Sequence, residues 1–301
     1  MKKGIKKIAI ILALALIFVR LPAGASFLSS KQDITFLVCG VDDAAENTDV
    51  LCIVNYNKVT GGFNVYQIPR DTYIDGGRIN GIYPSLLARG YSDSAALKEL
   101  CQIISSTFSV NIDGYVGITT QTFQQFVSNM GGIYVTLDED ITLKDNDNEL
   151  TLLRGENLLG PKEALYFIRY RTGYIRGDLQ RMEMQRIFMK GLYDTAVNRL
   201  TYRMLVKVAV NSKGVITNIS PVSLATIVTK KKSHTAPGVS AQTLPGEALL
   251  AENGAWYYVI SRRPCIDVLS ASFKIKESDF DHDRRLVGDR ESFKKIYYGS
   301  P

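Results

Sequence analysis

The sequence predicts an α/β protein, one domain with helices on both faces of a central sheet. Apolar residues make up 46 % of the chain and charged residues 22 %, the balance of a globular protein with a sizeable core. Segments of strand period and helix period mix throughout, and no internal repeat is visible. The 301 residues suffice for one large domain or two ordinary ones.

The elements follow in order. Ile34 to Cys39 is a continuous apolar run ending at Gly40 and reads as a buried strand. A polar loop, Val41 to Asp49, leads into a second strand, Val50 to Tyr56. The turn residues of 57–62 lead into a third, Phe63 to Ile68, which Pro69 stops. Ser92 or Ser94 can cap a helix running to Phe108, with Ala96, Leu97, Leu100, Ile103 and Ile104 at helical spacing. A strand at Gly114–Ile118, a helix at Thr119–Met130 and a strand at Ile133–Leu137 come next. Asp145 to Glu149 resembles a calcium loop, but Leu150 stands where the turn glycine belongs. A hairpin between Ile141–Leu143 and Leu150–Leu153 is the better reading. Pro161 opens a helix to Ile168, and Leu179–Arg199 is a longer one. An apolar segment (204–210), a capped helix after Ser220-Pro221 and a basic loop at Lys230–Lys232 follow. Strands at Val239–Leu244 and Trp256–Ile260 and a helix at Pro264–Phe273 end the domain. From Lys274 the chain is charged; Asp279, Asp281, His282 and Asp283 offer a metal site, and a mobile, solvated tail is the better reading.

Charge is unevenly placed. The formal net charge is +6. Five of the 36 basic residues lie in the first 25, where there is no acid, so the remainder carries 31 against 30. A nearly neutral body excludes a broad face for nucleic acid. The basic start and the apolar run Ile8–Val19 form a targeting segment within residues 1–29. It reads either as a signal anchor spanning Ile8 to Leu28 or as a signal peptide cleaved after Ala25. Both place the domain on the extracellular side; the anchor keeps it at the cell membrane.

Cys39, Cys52, Cys101 and Cys265 have no CxxC spacing and read as small buried hydrophobes, with a Cys39–Cys52 bridge left open. The two histidines, His234 and His282, are late and apart, which argues against a Ser-His triad.

The chemistry gathers in two stretches. Arg169 to Gln185 crowds Arg169, Arg171, Arg176 and Arg181 around a Gly-Asp turn with Asp178. Guanidinium forks grouped this way suit oxyanions, phosphate above all. Asp42, Asp49 and Arg70 stand at strand ends, where open α/β sheets bind ligands. Two aspartates offer hard oxygen ligands to Mg²⁺, and arginines can hold the phosphates that such an ion shares. Asp71 or Asp178 can serve as base or orient an arginine. No P-loop, GxGxxG or kinase signature occurs.

Nine stretches carry a resemblance: FLVCGVD (36–42), NTD (47–49), IPRDTY (68–73), RIN (78–80), GGIYV (131–135), LGPKEALYFIRYR (159–171), GDxxRxxxQ (177–185), TNIS (217–220) and LPGE (244–247). In this ordered set the chain resembles the LytR-CpsA-Psr family of cell-envelope glycopolymer ligases, over about residues 33 to 273. The resemblance implies a three-layer α/β/α fold with a central mixed sheet and a long apolar pocket for a polyprenyl chain. It implies Mg²⁺-assisted (or Mn²⁺-assisted) transfer of a glycopolymer phosphate from a polyprenyl-pyrophosphate-linked donor to peptidoglycan. By motif, Asp42 and Asp49 hold the metal. Arg70, Arg78, Arg169, Arg171, Arg181 and Gln185 hold the pyrophosphate, and Asp178 completes the catalytic set. The chain departs from the family pattern at Asn47, where Arg-Ser-Asp is usual, and at Met184, where arginine usually precedes the glutamine. Those two losses support an alternative: a non-catalytic envelope protein of this fold that binds polyprenyl lipid or wall polymer.

Overall fold

The computed structural model describes residues 33–41, 48–57, 60, 62–145, 148–170, 178–199, 214–219 and 239–298. The targeting segment, the 204–210 stretch, the helix expected after Pro221 and the basic loop at 230–232 lie outside them. The fold is mixed α/β with a central mixed sheet, as the sequence predicts. Its strands and helices divide into two compact units that interleave along the chain.

One unit comprises residues 34–56, 64–117 and 242–301. In its sheet β6 (Gly114–Thr119), β1 (Asp33–Val41), β2 (Thr48–Asn57) and β3 (Phe63–Gln67) lie side by side in that order. β1 and β2 are buried almost throughout, which explains their unbroken apolar runs. Thr35 is the polar exception in β1. Its amide donates to Asp113 Oδ2 at 3.0 Å, and its hydroxyl accepts from Asn55 Nδ2 at 3.2 Å. After β3 come a small hairpin of β4 (Tyr73–Ile74) and β5 (Gly77–Arg78), the short helix α1 (Ile82–Ala88) and α2 (Asp93–Phe108). The Ser92 hydroxyl accepts from Ala95 N, so of the two caps that the sequence allows Ser92 is the one used, and α2 buries Ala96, Leu97, Leu100, Ile104 and Phe108.

In chain order β11 (Ile216–Thr217) and β12 (Val239–Thr243) precede the hairpin of β13 (Gly246–Leu250) and β14 (Trp256–Ile260), which the same unit holds with α6 (Arg262–Leu269) and α7 (Arg290–Tyr298). Here the structure corrects the expectation of a mobile, solvated tail. Phe280 is fully buried against Phe108, 6.0 Å between ring centroids. Asp281 N donates to Thr107 O, and the Asp281 carboxylate accepts the amides of Arg285 and Leu286. Phe293 is fully buried with Tyr73, Tyr257 and Val259. Two widely spaced phenylalanines anchor a segment whose charges find partners in the body, and composition alone hides this. Among the described residues no group of three or more His, Cys, Asp or Glu is placed to hold a metal, so the acidic run 279–283 forms no such cluster.

The second unit comprises residues 1–33, 57–63 and 118–241. Thr119 caps α3 (Thr120–Met130), and Gly131 closes it at φ 74°. β7 (Ile133–Leu137) pairs antiparallel with β10 (Gly155–Leu159), and β8 (Ile141–Lys144) with β9 (Glu149–Leu152), in register Ile141↔Leu152. The β8–β9 hairpin is as predicted; Asp145 Oδ1 accepts Asn148 N in its turn. β10 has no counterpart in the sequence reading, because only Leu158 and Leu159 of its five residues are apolar side chains. α4 (Pro161–Arg169) and α5 (Asp178–Arg199) follow. α5 lies close on β7. A Cβ at Gly191 would stand 2.3 Å from Tyr134 O, and Thr195 Oγ1 accepts Tyr134 N at 2.9 Å.

Candidate active site

In the first unit the site begins where β3 ends. Pro69 has no amide for a ladder, so the chain turns there and Arg70-Asp71 leave the sheet. The turn is tied down by backbone bonds. Thr72 N donates to Pro69 O, Asn80 N to Arg70 O, and Tyr258 N to Asp71 O. Thr48 is fully buried at the start of β2, and its hydroxyl donates to Asn80 O at 3.2 Å. This brings Asp49 beside Arg70.

Four charged side chains then form a chain. Arg70 Nη1 donates to Asp49 Oδ1. Asp71 Oδ1 lies 3.7 Å from Arg70 Nε and 3.6 Å from Arg78 Nε, so one carboxylate serves two guanidiniums. Arg78 Nε donates to the Trp256 carbonyl at 3.0 Å, and its guanidinium lies over the Tyr257 ring, 5.4 Å from the centroid. Arg70 Nε itself is buried and makes no hydrogen bond among the described residues. A buried N–H without an acceptor costs free energy, and an oxyanion placed beside it would recover that cost. Asp71 is thus the orienting carboxylate of this group, and the Trp256 carbonyl is a contact that sequence reasoning missed. No local signal marks it, since it lies 178 residues from Arg78.

In the second unit Arg169 ends α4 and is exposed. Gln185 is buried on α5, and its Nε2 donates to Ile168 O at 3.1 Å. That bond satisfies a carbonyl of the last turn of α4 and fixes the helix end that carries Arg169. Met184 is buried, 8 % exposed, at the position where the family pattern places an arginine. Asp178 opens α5 and Arg181 lies in its first turn. Asp42, Arg171 and Arg176 lie outside the described residues. Arg89, at the end of α1, places its guanidinium 5.8 Å from the Tyr91 ring.

An α/β frame with guanidiniums and carboxylates at its strand ends is suited to binding phosphoryl oxyanions. The chain belongs to the LytR_cpsA_psr family, whose model matches residues 20–273. Among curated relatives, two polyisoprenyl-teichoic acid–peptidoglycan teichoic acid transferases, both TagU, are each 26 % identical to it. The protein from Oceanobacillus iheyensis matches over 77 % of this chain and 72 % of its own length. The protein from Bacillus cereus strain AH820 matches over 77 % and 75 %. Among solved structures, TagV of B. subtilis superposes with a TM-score of 0.64 at 22 % identity, covering 84 % of this chain and 98 % of TagV. A TagT structure described as bound to LIIa-WTA gives 0.61 at 18 %, covering 87 % and 95 %.

Proposed function

We propose that this protein transfers a glycopolymer phosphate from a polyprenyl-pyrophosphate-linked precursor to a hydroxyl of peptidoglycan, outside the cell and held at the membrane by residues 1–29. The observation that carries the reading is the Asp49–Arg70–Asp71–Arg78 chain, in which the buried Arg70 Nε has no hydrogen-bond partner among the described residues. The names of the TagU relatives supply the substrate class.

In this reading Arg70 and Arg78 bind the pyrophosphate oxygens, and Asp71 keeps both forks aimed. The family motif assigns phosphate binding to Arg169, Arg171 and Arg181 as well, with Asp178 in the same stretch. Gln185 acts through the end of α4. The acceptor hydroxyl oxygen forms the new P–O bond as the bridging P–O bond breaks; polyprenyl phosphate leaves, and the hydroxyl proton passes to the departing phosphate. Charge spread over the phosphoryl oxygens is what fixed guanidiniums stabilise. Asp49 is an oxygen donor, 22 % exposed, whose chemistry fits a hard cation. Asp42 and Asp49 would hold Mg²⁺ or Mn²⁺, which when bound neutralises pyrophosphate charge. An apolar pocket for the polyprenyl chain belongs to the same proposal.

The test is transfer by the purified full chain from a short-chain polyprenyl-pyrophosphoryl saccharide to peptidoglycan, with and without Mg²⁺. Arg70→Ala is expected to lower the rate by about a hundredfold or more, as loss of one oxyanion donor does. Arg70→Lys recovers only part, because an ammonium lacks the planar fork. Arg169→Ala is expected to lose turnover as well. The buried Met184 favours a second reading, a binding protein without catalysis. Wild-type protein that binds a polyprenyl phosphate yet gives no turnover would establish that one instead.

A further inference from the structure

Arg78 is held by one edge and one face of its guanidinium. The edge is Nε, which donates to the Trp256 carbonyl at 3.0 Å and lies 3.6 Å from Asp71 Oδ1. The face lies over the Tyr257 ring, 5.4 Å from its centroid. Among the described residues the two Nη groups of Arg78 make no hydrogen bond or ion pair. An anchored edge and a covered face leave over the pair of donors that can grip an oxyanion end-on.

The ring beneath is itself fixed. Tyr257 is 9 % exposed and meets Tyr73 edge-on at 5.4 Å and Phe293 at 5.8 Å between centroids. Tyr73 stands opposite Arg78 in the β4–β5 hairpin, and Phe293 is fully buried on α7. The next residue of β14, Tyr258, donates its amide to Asp71 O. Three consecutive residues of one strand, 256 to 258, therefore hold Arg78 twice and Asp71 once. A ring face attracts a cation through its π-electron density, which an aliphatic side chain of similar size lacks. A long side chain loses rotamer freedom when it grips a ligand, and one already held loses less.

We infer that Tyr257 is the positioning residue of Arg78: its ring holds the guanidinium plane, so that both Nη groups are set for a phosphate before the donor arrives. The inference rests on the phosphate role given to Arg78 in the proposed function. Tyr257 acts through Arg78 and needs no contact with the substrate. The role requires the electron density of the ring rather than its size.

Fluorination tests this, because each fluorine drains the ring face while its shape barely changes. The full chain in detergent is prepared with Tyr257→Phe as reference, and with 4-fluoro- and 3,4,5-trifluorophenylalanine at position 257. Calorimetry with farnesyl pyrophosphate gives Kd for each. The trifluoro variant is expected to bind about fivefold more weakly than Tyr257→Phe, with the monofluoro variant between them. In an Arg78→Ala background binding is expected to be weaker throughout and the series flat. A Kd that ignores fluorination while Arg78→Ala weakens binding overturns the inference and leaves the phosphate role of Arg78 standing. An equal loss along the series with and without Arg78 also overturns it, since the ring would then act without the arginine. Arg78→Ala that binds the probe as tightly as the wild type removes the phosphate role, and the positioning role with it.

Discussion

Arg285 holds Asp75 twice. Its carbonyl accepts the Asp75 amide at 3.0 Å, and its Nη1 donates to Asp75 Oδ2 at 2.5 Å, across 210 residues of sequence. Asp75 is the turn of the β4–β5 hairpin, at φ 50°, and β5 carries Arg78. The C-terminal segment therefore clasps the hairpin that presents a site arginine. Both side chains are partly exposed, so Arg285→Ala is expected to cost about 1 kcal/mol or less in a denaturant titration. Its larger effect is a raised KM for the pyrophosphate-linked donor at nearly constant kcat. Asp75→Asn keeps the turn conformation and loses the charge, and should show the same split. An unchanged KM in both variants would mean that the clasp does not position Arg78.

Gly191 tests how α5 seats on β7. Replacing an internal helix glycine with alanine ordinarily stabilises by about 1 kcal/mol. Here the new Cβ would stand 2.3 Å from Tyr134 O, a backbone atom that cannot swing aside. Gly191→Ala is therefore expected to destabilise, by about 1–3 kcal/mol. Thermal melting gives the sign directly, and a raised Tm would refute the close approach.

Asp289 gives α7 a pH-dependent cap. Its Oδ1 accepts Ser292 N at 2.7 Å and its Oδ2 accepts the Ser292 hydroxyl, and the amide bond is the main reason its pKa falls below the usual 3.8. A depressed carboxylate stabilises the fold above its unfolded pKa, and the contribution is lost as pH falls through the folded value. Asp289→Ala should cost about 1 kcal/mol at pH 7, and wild type and variant should draw together as pH falls below the ordinary carboxylate value. Asp281 runs the other way. Burial raises its pKa, so its ionised form is penalised as pH rises above the ordinary carboxylate value. A gap between wild type and Asp289→Ala that persists unchanged to pH 2 would contradict the cap.

All four cysteines are free, which decides the Cys39–Cys52 question in favour of buried thiols. Burial raises Cys39 and pushes Cys52, Cys101 and Cys265 up to about 12. Thiolate is the reactive form, so a thiol reagent at pH 8 should label the native protein very slowly and all four positions once it is unfolded. Reductant should leave the Tm unchanged. Fast labelling in the native state, or a Tm that drops with reductant, would count against this packing.

Much of the fold is written in local patterns. The apolar runs of β1 and β2, the Ser92 cap of α2, Pro161 at the start of α4 and the β8–β9 hairpin are all decided by neighbours within a few residues. The identity of the site arginines is equally local, because guanidiniums in short motifs announce oxyanion chemistry before any fold is known. What tertiary structure alone decided are relations between distant residues. The sequence leaves Asp71 as either a base or a carboxylate that orients an arginine, whereas in the fold it lies between Arg70 and Arg78. Trp256 reads as a strand residue, and its carbonyl turns out to hold Arg78. The charged run after Lys274 looks solvated, yet Phe280, Asp281 and Phe293 bury it. The physical reason is common to all three. A hydrogen bond or a buried ring contact is set by distance in space, and periodicity along a chain carries no record of which remote backbone groups the fold will bring within 3 Å.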